Sequence, residues 1–279
     1  MDTSKLTGST AFITGASRGI GKAIAIALGK AGANVALFAK TGEPHPKLPG
    51  TVYETAEEIE AVGGKALPII GDVRDEEAVA DAVKKTAETF GGIDLCVNNA
   101  SALNLNSLGE MEPKRYDLIQ QINTRGTYLT THYALPYLRE SSHAHVLTLS
   151  PPLSTDAKWF APGPYTASKF SMTIMTLGVS ESESDNGIAA NCLWPKTTIA
   201  TAAVRYGLGG QDMIDRSRSV DLVSDAALAI LSRNPSDYTG HATLAEDVLH
   251  EEGIDDLSPY SVVEGQTDFH QDLYVEKDS

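Results

Sequence analysis

Short apolar runs alternate with amphipathic segments along most of the chain. Strand patterns occupy 10–14, 35–39, 66–70, 93–97, 145–149 and 186–193, with a last edge strand expected at 242–245. Helical patterns end near residue 31, cover 53–62, 76–90, 112–139 and 220–231, and begin again near residue 164. Continuous apolar runs are typical of parallel strands that are covered on both faces. The pattern predicts a single α/β domain, a doubly wound parallel sheet with helices on both faces.

A glycine-rich turn joins the first predicted strand to the first predicted helix. Gly15 allows a tight turn, and Gly19 and Gly21 let the backbone approach a pyrophosphate at the helix N-terminus, which favours anions. The other members of this loop are Ser17, Arg18 and Ile20. The spacing G-x-x-x-G-x-G differs from G-x-G-x-x-G, and an ordinary turn between strand and helix is the alternative. The turn therefore favours a Rossmann-like dinucleotide site.

The end of the second predicted strand indicates which dinucleotide is preferred. Ala39 and Lys40 stand where an acidic residue would bind the ribose 2′-hydroxyl of NAD. A lysine can pair with a 2′-phosphate as a point charge, and Arg18 could assist from the glycine turn. A solvated lysine at the end of a strand is the alternative. We expect NADP(H) to be favoured over NAD(H).

Polar residues also follow the later strands, at the sheet edge where ligands bind in such folds. Asp72, beside Val73, could accept a hydrogen bond from the adenine amino group, or could cap a helix. The asparagine of Asn99-Ala100 could brace a loop beside a cofactor, or simply form a turn. Ser150 follows the fifth strand, where two prolines end the ladder.

Tyr165 and Lys169 lie one turn apart if the segment that begins near residue 164 is helical. A positive charge about 6 Å from the phenol, at an effective dielectric of about 20, contributes roughly 3 kcal/mol, or about two pKa units. That is enough to make a phenol a usable acid or base. The alternative is a half-buried tyrosine near an exposed lysine.

Two more places could contribute polar groups. Asn123 lies inside the predicted helix 112–139, where asparagine is disfavoured, which suggests a special role. Pro195, Thr197 and Thr198 follow the strand 186–193 at the same sheet edge. No His, Cys and carboxylate spacing indicates a metal site.

Charge and composition exclude several classes of function. The net charge of −15 argues against binding to nucleic acid or an anionic membrane. Cys96 and Cys192, the only cysteines, lie in apolar runs and are expected to be buried free thiols. The chain has no signal-like or membrane-spanning apolar run, so we expect a cytoplasmic protein.

The ordered set of motifs resembles the short-chain dehydrogenase/reductase superfamily over essentially the whole chain. The matching pieces are the glycine turn, Asp72-Val73, Asn98-Asn99-Ala100, Asn123, a serine after the fifth strand, Tyr165-x-x-x-Lys169 and the Pro195 segment. Within the superfamily, the stretches NTRGTYL, SPPL and NCLWPKTTIATAAV are similar to the hydroxysteroid dehydrogenase-like group. Each motif alone is weak evidence, whereas their order is specific.

The resemblance implies an NADP(H)-dependent oxidoreductase that interconverts an alcohol and a ketone or aldehyde. It also implies one domain over 1–279, with a dinucleotide part to about 150, a catalytic and substrate part to about 250, and a C-terminal tail. A homo-oligomer, dimer or tetramer, is a further expectation. A catalytically quiet dinucleotide-binding sensor or interaction protein on the same fold is the alternative.

The resemblance assigns roles to individual residues. Tyr165 would be the general acid/base, and Lys169 would lower its pKa and bind the nicotinamide ribose. Ser150 would bond the substrate oxygen, and Asn123 would position a relay water. The implied cofactor-binding residues are Gly15, Ser17, Arg18, Gly19, Ile20, Gly21, Lys40, Asp72, Val73, Asn99, Ala100, Pro195, Thr197 and Thr198, besides Tyr165 and Lys169.

The serine is where this sequence departs from the superfamily pattern. Pro152, which has no donor, stands where many members place the catalytic serine. Ser150 is the preferred candidate, because the narrower group shares the Ser-Pro-Pro arrangement, and Ser154 is the other candidate.

The substrate is indicated only by apolar residues around the predicted site. The region 196–219 is expected to form a lid lined by Tyr206, Leu208 and Met213, and Trp159 and Phe160 could add an aromatic wall. Ordinary packing is the alternative for each. An apolar mouth favours a medium or large apolar alcohol, ketone or aldehyde over a sugar.

Overall fold

The computed structural model describes residues 1–45 and 48–275, so Pro46 and Lys47 of the predicted loop 41–50 and the last four residues lie outside it. Its strands are β1 (Thr10–Thr14), β2 (Asn34–Ala39), β3 (Lys65–Ile70), β4 (Leu95–Asn98), β5 (His145–Thr148), β6 (Ala189–Trp194) and β7 (Ala242–Leu244). Over the described ranges they form one seven-stranded sheet in the order β3-β2-β1-β4-β5-β6-β7. Every neighbouring pair is parallel. The predicted doubly wound parallel sheet is confirmed.

Helices connect the strands and cover the sheet on both sides. They are α1 (Gly19–Lys30), α2 (Val52–Ala61), α3 (Glu76–Phe90), α4 (Pro113–Ile119), α5 (Gly126–Leu138), α6 (Gly163–Ser182), α7 (Ala202–Gly207), α8 (Gly210–Asp215), α9 (Val220–Ser232) and α10 (Ala245–Glu251). The strand order changes direction between β1 and β4, so the carboxyl ends of these strands border a crevice.

Side chains of β1 alternate between two cores, one on each face of the sheet. Ile13 belongs to a cluster with α1, α2 and α9, whereas Phe12 packs with α3 and α5. Both side chains are fully buried, and burying each contributes about 1.5–3 kcal/mol. The sheet is therefore held rigidly beneath the loops at its carboxyl edge.

Local signals explain where several helices begin and end. Thr51 and Glu54 form a reciprocal capping box at the start of α2. Asp75 accepts from the amide of Ala78 to begin α3, and Gly91, with a φ of 91°, ends it. These helices lie close to the predicted positions.

Two elements differ from the pattern in the sequence. The predicted helix 112–139 is divided by a π-helical segment, Gln120–Arg125, which contains Asn123. The strand predicted from 186 begins at Ala189, because Ser184–Asn186 forms a 3-10 turn and Gly187 takes a φ of 70°. A left-handed glycine interrupts the extended pattern, and apolar periodicity does not reveal that.

Cys96 and Cys192 are buried free thiols, as expected. Over the part of the chain that the structure describes, no helix has the length and apolar character needed to cross a membrane.

Candidate active site

Tyr165 and Lys169 both lie on α6 and turn toward the carboxyl edge of the sheet. Pro164 stands in the first turn of this helix, where its missing amide costs nothing. Tyr165 is 4% exposed and Lys169 is 2% exposed. Trp194, at the end of β6, packs in the same cluster as Tyr165, and its ring lies 5.1 Å from the Lys169 ammonium. The sequence spacing thus brings the two groups to one buried place.

The Lys169 ammonium is bound to the end of β5. Its Nζ donates to the carbonyl oxygen of Leu149 at 2.9 Å. Burial lowers the pKa of Lys169 to about 7, and the nearby carboxylate of Asp272 opposes that shift. Lys169 is therefore close to its titration point in neutral solution.

The pKa of Tyr165 moves in the opposite direction from the one its neighbouring lysine alone would give. Burial raises that pKa well above its ordinary value, and the charges of Tyr274 and Asp272 add to the rise. A hydrogen bond with the Ser101 side chain opposes it. Because burial raises this pKa so far, Tyr165 is a protonated phenol at neutral pH.

Asn123 joins the loop after β4 to α6. Its Oδ1 accepts from the amide of Ala102 at 2.7 Å, and its Nδ2 donates to the Ala102 oxygen and to Ser168 Oγ. Ser168 Oγ in turn donates to the carbonyl oxygen of Tyr165 at 2.7 Å. Asn123 is fully buried in the π-helical segment, a feature that is frequent at functional sites. It fixes the loop that carries Ser101 relative to Tyr165.

The candidate serines occupy different surroundings. Ser150 is fully buried, and its Oγ accepts from Thr173 Oγ1 at 3.0 Å. Thr173 lies about two helical turns beyond Tyr165, roughly 12 Å along the axis of α6. Ser154 Oγ accepts from the amide of Asp156 at 3.2 Å. Ser101, exposed in the loop after β4, is the serine that acts on the pKa of Tyr165, and it lowers that pKa.

The glycine turn is braced from β4 by Asn99. The Nδ2 of Asn99 donates to the carbonyl oxygens of Thr14 and Gly15 at 3.0 and 3.1 Å. A Cβ at Gly15 would lie 2.8 Å from that nitrogen, and one at Gly21 would lie 2.3 Å from it. Both positions must therefore be glycine. Ala100 also holds the turn, because its amide donates to Thr14 Oγ1 at 3.1 Å.

The N-terminus of α1 fits a pyrophosphate. Arg18 is its N-cap residue and makes no side-chain capping bond within the described chain, so the first-turn amides of α1 are not capped. A Cβ at Gly19 would lie 3.5 Å from Thr201, which marks the opposite wall of the cleft. An uncapped positive helix end beside a glycine backbone suits an anionic ligand.

Arg18 and Lys40 lie on the β2 side of the same cleft. The Arg18 guanidinium donates to Thr41 Oγ1 and to the Pro49 and Gly50 carbonyl oxygens at 3.1–3.3 Å. Lys40 is exposed at the end of β2. Lys40 thus directly precedes Thr41, which the Arg18 guanidinium contacts, and the 2′-phosphate site stays a prediction from the sequence.

Asp72 is held by Arg74 at the end of β3. Arg74 donates to both carboxylate oxygens of Asp72, at 2.7–3.0 Å. This contact, and then the charge of Lys40, lowers the pKa of Asp72. The buried side chain of Val73 lies about 3.0 Å from where a Cβ on Gly126 would stand, so it packs against α5.

Glu246 positions the segment after β6. Its carboxylate accepts from the amide of Lys196 at 2.7 Å, and from the amide and Oγ1 of Thr197 at 3.3 and 3.2 Å. Burial raises the pKa of Glu246 despite these bonds. Thr198 Oγ1 lies 2.8 Å from Ser217 Oγ, which ties the same segment to the chain after α8. Pro195, Thr197 and Thr198 are thus held at the carboxyl edge near Lys169.

The C-terminal strap, residues 270–275, lies across this segment. Thr197 and Gln271 form an antiparallel bridge, and the amide of Asp272 donates to the Lys196 oxygen at 2.9 Å. Trp194 Nε1 donates to the Leu273 oxygen at 2.9 Å. Burial raises the pKa of Asp272 to about 7. The strap brings a carboxyl group close to both Tyr165 and Lys169.

An apolar cluster surrounds Tyr165. Met111, Ile119 and Tyr274 are its other buried members. The predicted aromatic wall is partly formed, since Trp159 packs on this cluster whereas Phe160 is 54% exposed. Tyr206 of the predicted lid is 59% exposed on α7.

Several residues at the site were not predicted as functional. They are Ser101, Glu246, Asp272 and Tyr274. Ser101 carries a weak signal, because it directly follows the asparagine motif after β4. The others have no local signal, since tertiary structure alone brings the tail and α10 to this edge.

The chain is similar to known proteins in both sequence and structure. A sequence model of the "short chain dehydrogenase" family matches residues 9–206. Hydroxysteroid dehydrogenase-like protein 2 of Xenopus tropicalis is 54% identical over 265 residues, 95% of this chain and 63% of that protein. The Homo sapiens protein of the same name is 50% identical over 279 residues, 99% of this chain and 66% of its own length. This chain thus spans less than two thirds of the length of the frog relative.

A solved structure is similar over the whole fold. It is a short chain dehydrogenase from Mycobacterium thermoresistibile, with 53% identity and a TM-score of 0.92. The match covers 97% of this chain and 96% of that one.

Proposed function

Because this chain belongs to the short-chain dehydrogenase family, we propose that it is an NADP(H)-dependent enzyme that interconverts an alcohol and a ketone or aldehyde. Membership supports an oxidoreductase with a nicotinamide cofactor. The observation that carries the finer proposal is the buried Tyr165–Lys169 pair beside the Asn99-braced glycine turn. A proton donor and a dinucleotide cradle then share one sheet edge.

In carbonyl reduction, Tyr165 gives its proton to the substrate oxygen. The raised pKa of Tyr165 keeps that proton on the phenol at neutral pH. Ser150, whose Oγ accepts from Thr173, would bond the substrate oxygen, and Ser101, which lowers the pKa of Tyr165, is a second candidate donor. The hydride would come from a bound nicotinamide to the carbonyl carbon, or would pass to the nicotinamide in the reverse direction.

Lys169 would serve the proton-transfer step electrostatically. When protonated, its ammonium stabilises the phenolate that Tyr165 becomes after giving up its proton. The same group would bind the nicotinamide ribose hydroxyls. Asn123 supports this arrangement by joining the Ser101 loop to α6, and it would position a relay water.

The cofactor would lie along the sheet edge from β3 to β6. The glycine turn and the α1 N-terminus would bind the pyrophosphate, and Lys40 and Arg18 would bind the 2′-phosphate. The remaining assignments are Asp72 and Val73 at the adenine, Asn99 and Ala100 at the adjoining ribose, and Pro195, Thr197 and Thr198 at the nicotinamide amide. Lys40 is the residue on which the preference for NADP(H) depends.

The apolar cluster around Tyr165 favours a medium or large apolar substrate. Polar polyols would leave hydroxyl groups without partners among Met111, Ile119 and Trp159. A homo-oligomer and a cytoplasmic location remain predictions from the sequence.

A catalytically quiet dinucleotide-binding protein is the second candidate. Two observations favour it: Ser150 is fully buried, and the C-terminal strap covers the edge beside Tyr165. In that case NADPH would bind to the glycine turn, but no carbonyl compound would be turned over.

A paired screen separates the two candidates. Purified protein would be mixed with NADPH or NADH and a panel of apolar and polar carbonyl compounds, and the absorbance of the reduced nicotinamide would be followed. The proposal expects turnover of apolar compounds, faster with NADPH. NADPH binding without any turnover would favour the quiet protein, and turnover of polyols alone would contradict the apolar substrate.

A further inference from the structure

We propose that the C-terminal strap is a wall of the substrate pocket and that Tyr274 determines which carbonyl compounds reach Tyr165. This rests on the proposed oxidoreductase function and adds the residue that sets its substrate range. The preferred substrate carries a slim or flat apolar group on the side of the carbonyl that faces Tyr274, and bulky or branched groups on that side are excluded.

The strap is a fixed part of the site. The amide of Thr198 donates to the His270 oxygen at 2.9 Å, and the amide of His270 donates to the Arg216 oxygen at 2.8 Å. Together with the Thr197–Gln271 bridge and the Trp194–Leu273 bond, these contacts join the strap to β6 and to the segment after it. The backbone that carries Tyr274 is therefore anchored on the same segment that would bind the nicotinamide amide.

Tyr274 has an unusual backbone conformation. Among residues 1–45 and 48–275 it is the one non-glycine residue with a positive φ, 66°. Such a conformation is strained for a bulky side chain, and it persists only where the surroundings hold the residue firmly. Strained residues of this kind cluster at ligand sites. The strain thus singles out Tyr274 within the strap.

Its side chain is held by one hydrogen bond and three rings. Tyr274 Oη lies 3.1 Å from Thr166 Oγ1, on the residue next to Tyr165. Its ring centroid lies 5.3 Å from Phe170, 5.4 Å from Trp159 and 6.1 Å from Trp194. Tyr274 is only 3% exposed. A ring fixed in this way forms a rigid wall that does not yield to a larger ligand.

This wall stands beside the reacting groups. Tyr274 shares the apolar cluster of Tyr165, and Trp194 contacts both the Tyr274 ring and the Lys169 ammonium. A carbonyl oxygen that receives the Tyr165 proton must bring its flanking carbon groups close to this cluster. Tyr274 is therefore placed to discriminate among those groups by size.

The first experiment compares substrates of different bulk in three variants. The probes are propanal, benzaldehyde and a bulky bicyclic ketone, each with NADPH. We expect Tyr274→Ala to raise the ratio of kcat/KM for the bulky over the slim compound by roughly tenfold or more. A hydrophobic pocket distinguishes substrates that differ by one methylene group on this scale. Tyr274→Phe keeps the ring and should leave the ratio unchanged.

Tyr260→Ala is the matched control. It removes an aromatic ring from the same C-terminal region, where Tyr260 Oη bonds to Asp225 at 2.7 Å rather than to α6. The ratio of kcat/KM for the bulky over the slim compound should be the same in Tyr260→Ala as in the unaltered protein. A Tyr274→Ala variant that loses activity on all probes by one common factor, with a lower Tm, would overturn the proposal, because that pattern indicates a purely structural strap.

A binding readout keeps the inference separate from the proposed function. Trp159 and Trp194 are the only two tryptophans of the chain, and both contact Tyr274, so intrinsic fluorescence reports on this wall. Benzamide and a naphthamide are unreactive carbonyl probes of two sizes. We expect saturable fluorescence changes with both amides. We also expect Tyr274→Ala to increase the affinity for the naphthamide relative to the affinity for benzamide.

Failure of the proposed reaction and failure of the Tyr274 wall give different results. If the protein is inactive but Tyr274→Ala still changes the relative affinities for the two amides, the result supports the wall and contradicts the proposed reaction. An active protein whose size ratio and amide affinities are unaffected by Tyr274→Ala would retain the reaction and overturn the wall.

Discussion

Lys169 Nζ donates a 2.9 Å hydrogen bond to the carbonyl oxygen of Leu149, which ties the buried ammonium to the carboxyl end of β5. The spacing of Tyr165 and Lys169 alone does not give the protonation state of the phenol, because burial is the largest effect on its pKa. The ammonium is directed at a backbone oxygen, and burial then dominates the pKa of Tyr165. Tyr165 consequently keeps its proton at neutral pH, as the proposed acid must.

The raised pKa of Tyr165 predicts different pH profiles for the two directions of reaction. Carbonyl reduction needs the protonated phenol. Titration of Tyr165 should therefore leave its kcat/KM unchanged through neutral pH and lower it only at alkaline pH. Alcohol oxidation needs the phenolate, so its kcat/KM should rise toward alkaline pH, by at most about tenfold per pH unit. Initial rates in both directions would test this, and a plateau of the oxidation rate near neutral pH would contradict the raised pKa.

Lys40→Ala should weaken NADPH more than NADH. The lysine would pair with a phosphate that NADH lacks, and losing a charged hydrogen bond costs about 1.5–3 kcal/mol, or roughly 10- to 100-fold in Kd. Fluorescence titration with both cofactors measures this difference. Lys84→Ala is the control, since Lys84 is an exposed residue of α3 beside Glu88. If the affinities for NADPH and NADH fall equally, Lys40 does not bind the 2′-phosphate.

Glu246→Ala should loosen the segment after β6. The amides of Lys196 and Thr197 would lose a buried acceptor, which costs about 1–3 kcal/mol of unfolding free energy. We expect a lower Tm and a raised KM for NADPH. Asp247→Ala is the control, because its ion pair with Lys196 is partly exposed and contributes about 0–1 kcal/mol. If the two variants have the same KM, Glu246 does not position the cofactor segment.

Local patterns were sufficient for much of the fold. The strand Thr10–Thr14 has the predicted bounds, because a buried parallel strand is a continuous apolar run and the next glycine ends it. The glycine turn and the Tyr165–Lys169 spacing depend on neighbours in sequence, and they were identifiable for that reason. Asn123 was marked as unusual by its position within a predicted helix, although the π-helical segment itself was not predicted.

Other features depend on contacts between distant parts of the chain. No local preference indicates that Tyr274 packs beside Thr166, or that Asp272 lies close to Lys169. The pKa of Tyr165 follows from those contacts and from burial, so its direction could not be deduced from spacing. The surroundings of Ser150 likewise depend on Thr173 of α6, which the sequence does not place.

Turnover by Tyr165→Phe, measured together with NADPH affinity, tests the central claim most directly. The variant removes the proton and keeps the ring, and Tyr128→Phe serves as a control because Tyr128 is 51% exposed on α5. We predict a loss of about 10²- to 10⁴-fold in kcat/KM for carbonyl reduction, with the Kd for NADPH little changed. Reduction at the rate of the unaltered protein would contradict Tyr165 as the proton donor.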